Sequence, residues 1–243
     1  MQKIKYEGVT EIRFDKRRER QYVLCMDSVV ERLARSPKLG LIYRDLTDLW
    51  AQEQKARKRF YESIEDGQKV EFINGEIIVH SPDTLKHVEI RKRLTNLLNN
   101  FAISHDLGLV GDEKLLIALT RNDYMPDVVF FLKEKEAALE GDQSKFPAPD
   151  FAAEVLSSST RRRDRGVKFE DYAAHGVREY WILDPDARTV EKYVLNALGR
   201  YALEKKASGE EEVRSEVMPG FKAPANAFFN DRANLAALRR LLR

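Results

Sequence analysis

Two hydrophobic rhythms alternate along this chain, and the switches between them outline a fold. Apolar residues crowd 70–73 and 76–79, two short runs separated by Asn74-Gly75. Asn-Gly accepts the positive φ values of a two-residue turn, so the runs predict an antiparallel hairpin. Ser81-Pro82-Asp83 then ends the strand rhythm and leads into a helix. Along it Ile90, Leu94, Leu97, Leu98 and Phe101 recur at spacings of three and four, forming one stripe with His87 near its N-terminal end. Residues 109–119 read as one long strand in which Leu115, Ile117 and Leu119 alternate. Asn122-Asp123 reads as a turn, 127–132 as a buried strand, 133–139 as a short helix and 141–149 as a loop.

Residues 151–156 carry few polar positions, as a central strand would. A charged helix follows over 161–175, bracketed by Thr160 as N-cap and Gly176 just past its end. Strands at 179–184 and 189–194 pair across a turn at 184–186, 199–204 and 211–217 add edge strands, and 230–243 is an amphipathic helix. The chain before residue 61 has less pattern. It is densely charged over 11–22, then helical from Leu41 through Leu46, Leu49 and Trp50 into a basic end at Lys55, Arg57, Lys58 and Arg59. The expectation is an α/β fold with a mixed β-sheet flanked by helices and a strand-helix-strand crossover. A mostly helical extension (1–60) precedes the core (61–229), and a terminal helix (230–243) follows it.

Composition narrows the class. With 43% hydrophobic and 34% charged residues in 243, the chain has the makeup of a folded globular protein rather than a disordered one. Forty-two basic against 40 acidic residues give a net +2, so any contact with nucleic acid must come from local clustering. The single Cys25 excludes an internal disulfide framework and a cysteine-built zinc site. No apolar run nears the roughly 20 residues of a membrane span, and the N-terminus lacks the apolar stretch of a secretory signal. A cytoplasmic protein without a membrane partner is expected.

The chemistry centres on Asp127 and Glu154. A carboxylate inside an apolar strand is costly to bury unless it is paired or metal-bound. Facing each other on adjacent strands, these two would supply the oxygen ligands that magnesium or manganese takes from a protein, one or two carboxylates with water and substrate completing the shell. The carbonyl of Val155 adds a third oxygen. Lys168, on the following helix, is placed to orient a nucleophile or stabilise a pentavalent phosphate. Glu76 and His87 would shape the metal's surroundings. Asp164 stands four residues before Lys168, the spacing of a surface ion pair worth tenths of a kcal/mol. Arg161, Arg162 and Arg163 occupy a first helical turn, where cations oppose the macrodipole, and this favours phosphate contact. Tyr172, Tyr180 and Trp181 read as core.

Pro126-Asp127 followed by Glu154 resembles the PD-(D/E)XK nuclease signature. The wider pattern adds Asn74-Gly75-Glu76, Ser81-Pro82, His87, the block from Glu154 to Thr160, Asp164, Lys168, Tyr172, Gly176-Val177 and the run at 179–185. Over about residues 60 to 220 this is similar to the Uma-two family of restriction-endonuclease-like proteins. The resemblance implies a restriction-endonuclease-like core, magnesium or manganese, endonuclease activity on nucleic acid with DNA the expected substrate, and a homodimer. The dimer interface would come from the N-terminal extension or from the terminal helix around Leu235, Leu238 and Leu242. Two positions depart from the pattern. Leu156 stands where the signature has lysine, a role Lys168 would take over, and Ser158 replaces a proline. The competing reading is a non-catalytic nucleic-acid-binding or regulatory domain that keeps the fold, with Leu156 as its support.

Overall fold

The Asn-Gly turn closes as its chemistry requires, with φ of 51° at Asn74 and 88° at Gly75. It joins β1 (Val70–Ile73), buried at every position, to β2 (Glu76–Val79), which is mostly exposed. The computed structural model that shows this describes residues 29–65 and 67–243, so the charged stretch at 11–22 and Cys25 lie outside it. The chain divides into two units, Met1–Leu46 and Thr47–Arg243. Of the first, the described residues are mainly helical, as expected for the extension.

Two larger sheets build the second unit. Next to β1 come β3 (Gly108–Asp112), β4 (Leu116–Ala118), β5 (Asp123–Tyr124), β6 (Val128–Leu132), β7 (Lys145–Phe146) and β8 (Phe151–Val155). The rest are β9 (Glu179–Asp184), β10 (Thr189–Leu195), β11 (Tyr201–Ser208), β12 (Glu212–Arg214) and β13 (Lys222–Pro224). One sheet runs β2-β1-β5-β4-β7, the other β11-β10-β9-β8-β6-β3, and β12-β13 form a separate pair. In the larger sheet β8 is interior, antiparallel to β6 and parallel to β9. The parallel pair is connected through two short helices, which makes the sheet mixed as the sequence predicts.

Beyond the helical residues 29–34, the α-helices among the described residues are α1 (Leu39–Ser63), α2 (Leu85–Ser104), α3 (Lys133–Glu136), α4 (Arg161–Asp164), α5 (Val167–Ala174) and α6 (Asp231–Leu241). Side chains of the six-stranded sheet alternate between two cores. Val128, Phe130, Phe151, Ala153, Trp181 and Leu183 pack with the predicted stripe of α2 and with Ala237 and Leu241 of α6. Val129, Phe131, Ala152, Tyr180 and Ile182 face the other way, onto Tyr172 of α5 and onto Ile73, Ile117 and Tyr124 of the smaller sheet. Asp127 and Glu154 share the parity of this second face.

Several elements differ from the sequence expectation. The single strand over 109–119 is two strands in different sheets, because the backbone turns at Glu113 with φ of 50°. The helix over 161–175 is broken between α4 and α5 at Arg165-Gly166. Thr160 does not cap it through its side chain; its hydroxyl instead accepts from the Ser157 amide at 3.3 Å. Gly176, with φ of 76°, does terminate α5. Asp123 belongs to a strand, 141–149 contains β7, and β12 pairs with β13 rather than extending the main sheet. Residues 47–60, read as extension, form part of the larger unit: Phe60 is fully buried there. Arg57 donates to Asp123 twice at 2.7 Å and to the carbonyls of Leu119 and Thr120. No helix among the described residues is long and apolar enough to cross a membrane.

Candidate active site

Val128 faces Ala153 across the antiparallel β6–β8 pair. One residue further along that register brings Asp127 opposite Glu154. Both are nearly fully buried. Asp127 Oδ2 accepts from the Val155 amide at 2.8 Å and stands 3.1 Å from His87 Nε2, while Oδ1 meets the Lys69 ammonium at 2.6 Å. The Val155 carbonyl leaves the strand on the same edge as its amide, toward Asp127. Burial opposes the charge on Asp127, but Lys69 and His87 outweigh it and hold the carboxyl well below its ordinary range.

Lys168 is the hub of the second half. Its ammonium is 1% exposed and lies 2.8 Å from Glu71 Oε1, 3.0 Å from Glu154 Oε1 and 3.4 Å from Asp164 Oδ1. α5 can deliver it because the helix packs across the face to which β8 turns Glu154. Burial alone would discharge the ammonium, yet Glu154, Glu71 and Asp164 push its pKa well above the usual lysine value. Tyr172 also approaches Glu154 Oε1, at 3.4 Å, leaving Oε2 clear of both donors.

The carboxylates are pulled apart electrostatically. Burial opposes ionisation of Glu71, but Lys168 and His80 bring its pKa down to about 2. Glu154 is raised well above the carboxylate range by burial, with Asp164 and Asp127 adding to it against the pull of Lys168. Asp164 is raised by burial too, against the opposing pull of Lys168 and of the Thr160 side chain. Four buried carboxylates thus share two ammonium groups and two imidazoles, and with both imidazoles neutral the excess is two negative charges if all four ionise.

That excess tests the fit of a divalent cation, which would relieve it, and the oxygens of Asp127, Glu154 and Val155 are of the hard type such a cation takes. Among the described residues no three His, Cys, Asp or Glu side chains converge into a ready ligand cage.

The structure thus gathers Asp127, Glu154, Val155, Lys168 and His87. Asp164, which the spacing alone would leave on the surface, is 1% exposed within the same cluster. Glu76 lies outside it, exposed on β2 opposite Ile73; the carboxylate that the hairpin directs inward is Glu71. Glu71 carried a readable signal, a charged residue inside the apolar run 70–73, the same signal that marks Glu154. Lys69 and His80, whose Nε2 lies 2.9 Å from Glu71 Oε2, flank β1 and β2 and carried none. Of the arginines, Arg161 pairs with Asp184 at 2.9 Å, Arg162 is exposed, and Arg163 is half-buried.

Comparison with known proteins bears on the family and the fold. The Uma-two family model, described as "Putative restriction endonuclease", matches residues 57–226. An uncharacterized protein of Synechocystis sp. is 30% identical over 128 residues, covering 52% of this chain and 72% of that one. The fold is similar to a crystal structure from Anabaena variabilis ATCC 29413, described as "a putative nuclease belonging to DUF820". That likeness has a TM-score of 0.61 at 19% identity, over 74% of this chain and 96% of that one.

Proposed function

We propose, on the premise that the chain belongs to the Uma-two family of restriction-endonuclease-like proteins, that it is a metal-dependent endonuclease hydrolysing phosphodiester bonds of nucleic acid, with DNA as substrate. The observation that carries this reading is the facing pair Asp127 and Glu154, with the Lys168 ammonium 3.0 Å from Glu154.

Asp127, Glu154 and the Val155 carbonyl would hold the magnesium or manganese ion. Bound there, such an ion supplies a water of lowered pKa and neutralises phosphate charge. The chain's own residues prepare that site. His87 and the Val155 amide fix the Asp127 carboxylate by two contacts on Oδ2. Glu71, itself held by the Met125 amide at 2.9 Å and by His80, anchors Lys168 from the opposite side to Glu154. Its raised pKa keeps Lys168 an ammonium at neutral pH. Its part is therefore electrostatic: it would orient the attacking water or take up charge on the pentavalent phosphate. Lys168 thereby serves in place of the lysine that Leu156 lacks; Leu156 is buried in the core. Arg161, Arg162 and Arg163, beyond the end of β8, would contact the strand's phosphates, and the working form would be a homodimer.

The test is cleavage of supercoiled plasmid, single-stranded DNA, branched DNA and RNA with magnesium or manganese, with Asp127→Asn and Glu154→Gln alongside. Cutting by the wild type and not by either variant supports the enzyme and names its substrate. Retained cutting in both variants would place the chemistry elsewhere. Salt-sensitive binding without metal-dependent turnover would favour the non-catalytic nucleic-acid-binding reading.

A further inference from the structure

Lys69, immediately before β1, makes the shortest cation contact in the cluster, 2.6 Å to Asp127 Oδ1. It differs from Lys168 in two ways. Lys168 is 1% exposed and surrounded by three carboxylates, whereas the Lys69 side chain is 16% exposed and contacts Asp127 alone among the carboxylates of the described residues. Lys69 therefore has a solvent edge and a single anchor, on a stem of four rotatable methylenes. The other oxygen of Asp127 is already committed to the Val155 amide and to His87. Oδ1 is then the oxygen through which Asp127 would meet any further cation, and it is where Lys69 sits. An ammonium and a divalent ion on one carboxylate oxygen would stand a few ångströms apart and repel strongly in so buried a place.

We infer that Lys69 is an exchangeable counter-cation of Asp127: it pairs with Oδ1 until a divalent cation binds, and it must leave that oxygen for the cation to be held. The inference rests on the proposed metal-dependent reading of the site and adds to it a residue that sets the metal's affinity. Lys69 keeps Asp127 ionised and the cluster compensated when metal is scarce, and it raises the metal concentration at which the site fills. Lys168, locked by three partners, does not take part in this exchange.

The experiment is calorimetric titration of the full chain with manganese(II), without nucleic acid, comparing wild type, Lys69→Met, Lys69→Arg and Asp127→Asn. Thermal unfolding of each variant checks that it is folded. Methionine keeps the stem and removes the charge, so Lys69→Met should bind manganese at least about tenfold more tightly than the wild type. Arginine holds a carboxylate in two-point fashion, so Lys69→Arg should bind no more tightly than the wild type and more weakly if the fork engages Asp127. The manganese concentration for half-maximal cleavage should move in the same directions. Equal or weaker binding by Lys69→Met, with wild-type binding intact and lost in Asp127→Asn, would overturn the exchange while leaving the metal site standing. Absence of binding in wild type and Lys69→Met alike would remove the metal reading and this inference together.

Discussion

Replacing Lys168 by methionine separates charge from packing in the buried cluster. The side chains are similar in length, so the change removes mainly an ammonium that stands 2.8, 3.0 and 3.4 Å from three carboxylates. At an effective dielectric of about 20 those three attractions amount to roughly 16 kcal/mol gross. Desolvation of the buried ions offsets most of this, and deleting one partner of a buried ion pair costs about 3–5 kcal/mol. That is a large part of the roughly 5–15 kcal/mol by which a domain is stable. The pH dependence identifies the cause. In the wild type the depressed Glu71 carboxyl contributes stability above its unfolded value, lost as pH falls through about 2. In the variant Glu71, Glu154 and Asp164 lose their counter-ion, so their folded-state values move up relative to the wild type. Stability from such raised groups is present below the unfolded value, about 4, and is lost as pH rises through the folded one. The deficit is thus greatest near pH 7 and shrinks toward pH 4. Urea unfolding reads it directly: a loss of about 4 kcal/mol lowers the midpoint by about 2 M at a slope of roughly 2 kcal/mol/M. An equal deficit at pH 7 and pH 4.5 would refute the electrostatic account and assign the loss to packing.

Other substitutions probe the parts separately. Asp127→Asn and Glu154→Gln should each lower metal-dependent cleavage on the order of 10³-fold, the equivalent of several kcal/mol of lost charge stabilisation, with the circular dichroism spectrum unchanged. Arg57→Ala leaves Asp123 buried without its two 2.7 Å donors and should lower stability by about 3–5 kcal/mol in urea titration. Gly108→Ala would place a Cβ 2.1 Å from the Phe131 carbonyl at a φ of 140°, so a loss above about 4 kcal/mol is expected from the urea midpoint.

What was legible in the sequence follows from how local each signal is. The hairpin at 70–79 and the α2 stripe are specified by neighbouring residues, and both formed. Glu154 stood out because an apolar strand rarely carries a carboxylate, and Glu71 was readable on the same ground. Reading Glu76 instead came from its place after the turn, which does not reveal that β2 is an edge strand with its side chains largely exposed. The turn at Glu113 was not legible, since neither glycine nor proline occupies the position that takes the left-handed φ. Nor was the burial of Asp164: the spacing to Lys168 shows that the two can meet, but whether they meet in solvent or in a core is decided by β1 and β8.

Lys168 bonds Glu71 on the smaller sheet and Glu154 on the larger one, and this sets a timetable for the newborn chain. At about 5–20 residues per second, roughly 5 to 20 s separate the synthesis of Glu71 from that of Lys168. Until then Glu71 and Glu154 have no shared counter-charge, and bringing them together in a dry interior is uphill. The seam between the sheets closes only once the connecting segment after β8 has emerged. A ribosome-bound fragment that stops short of it carries Glu71, Asp127 and Glu154 but not the assembled cluster, which forms only after about two thirds of the chain has been made.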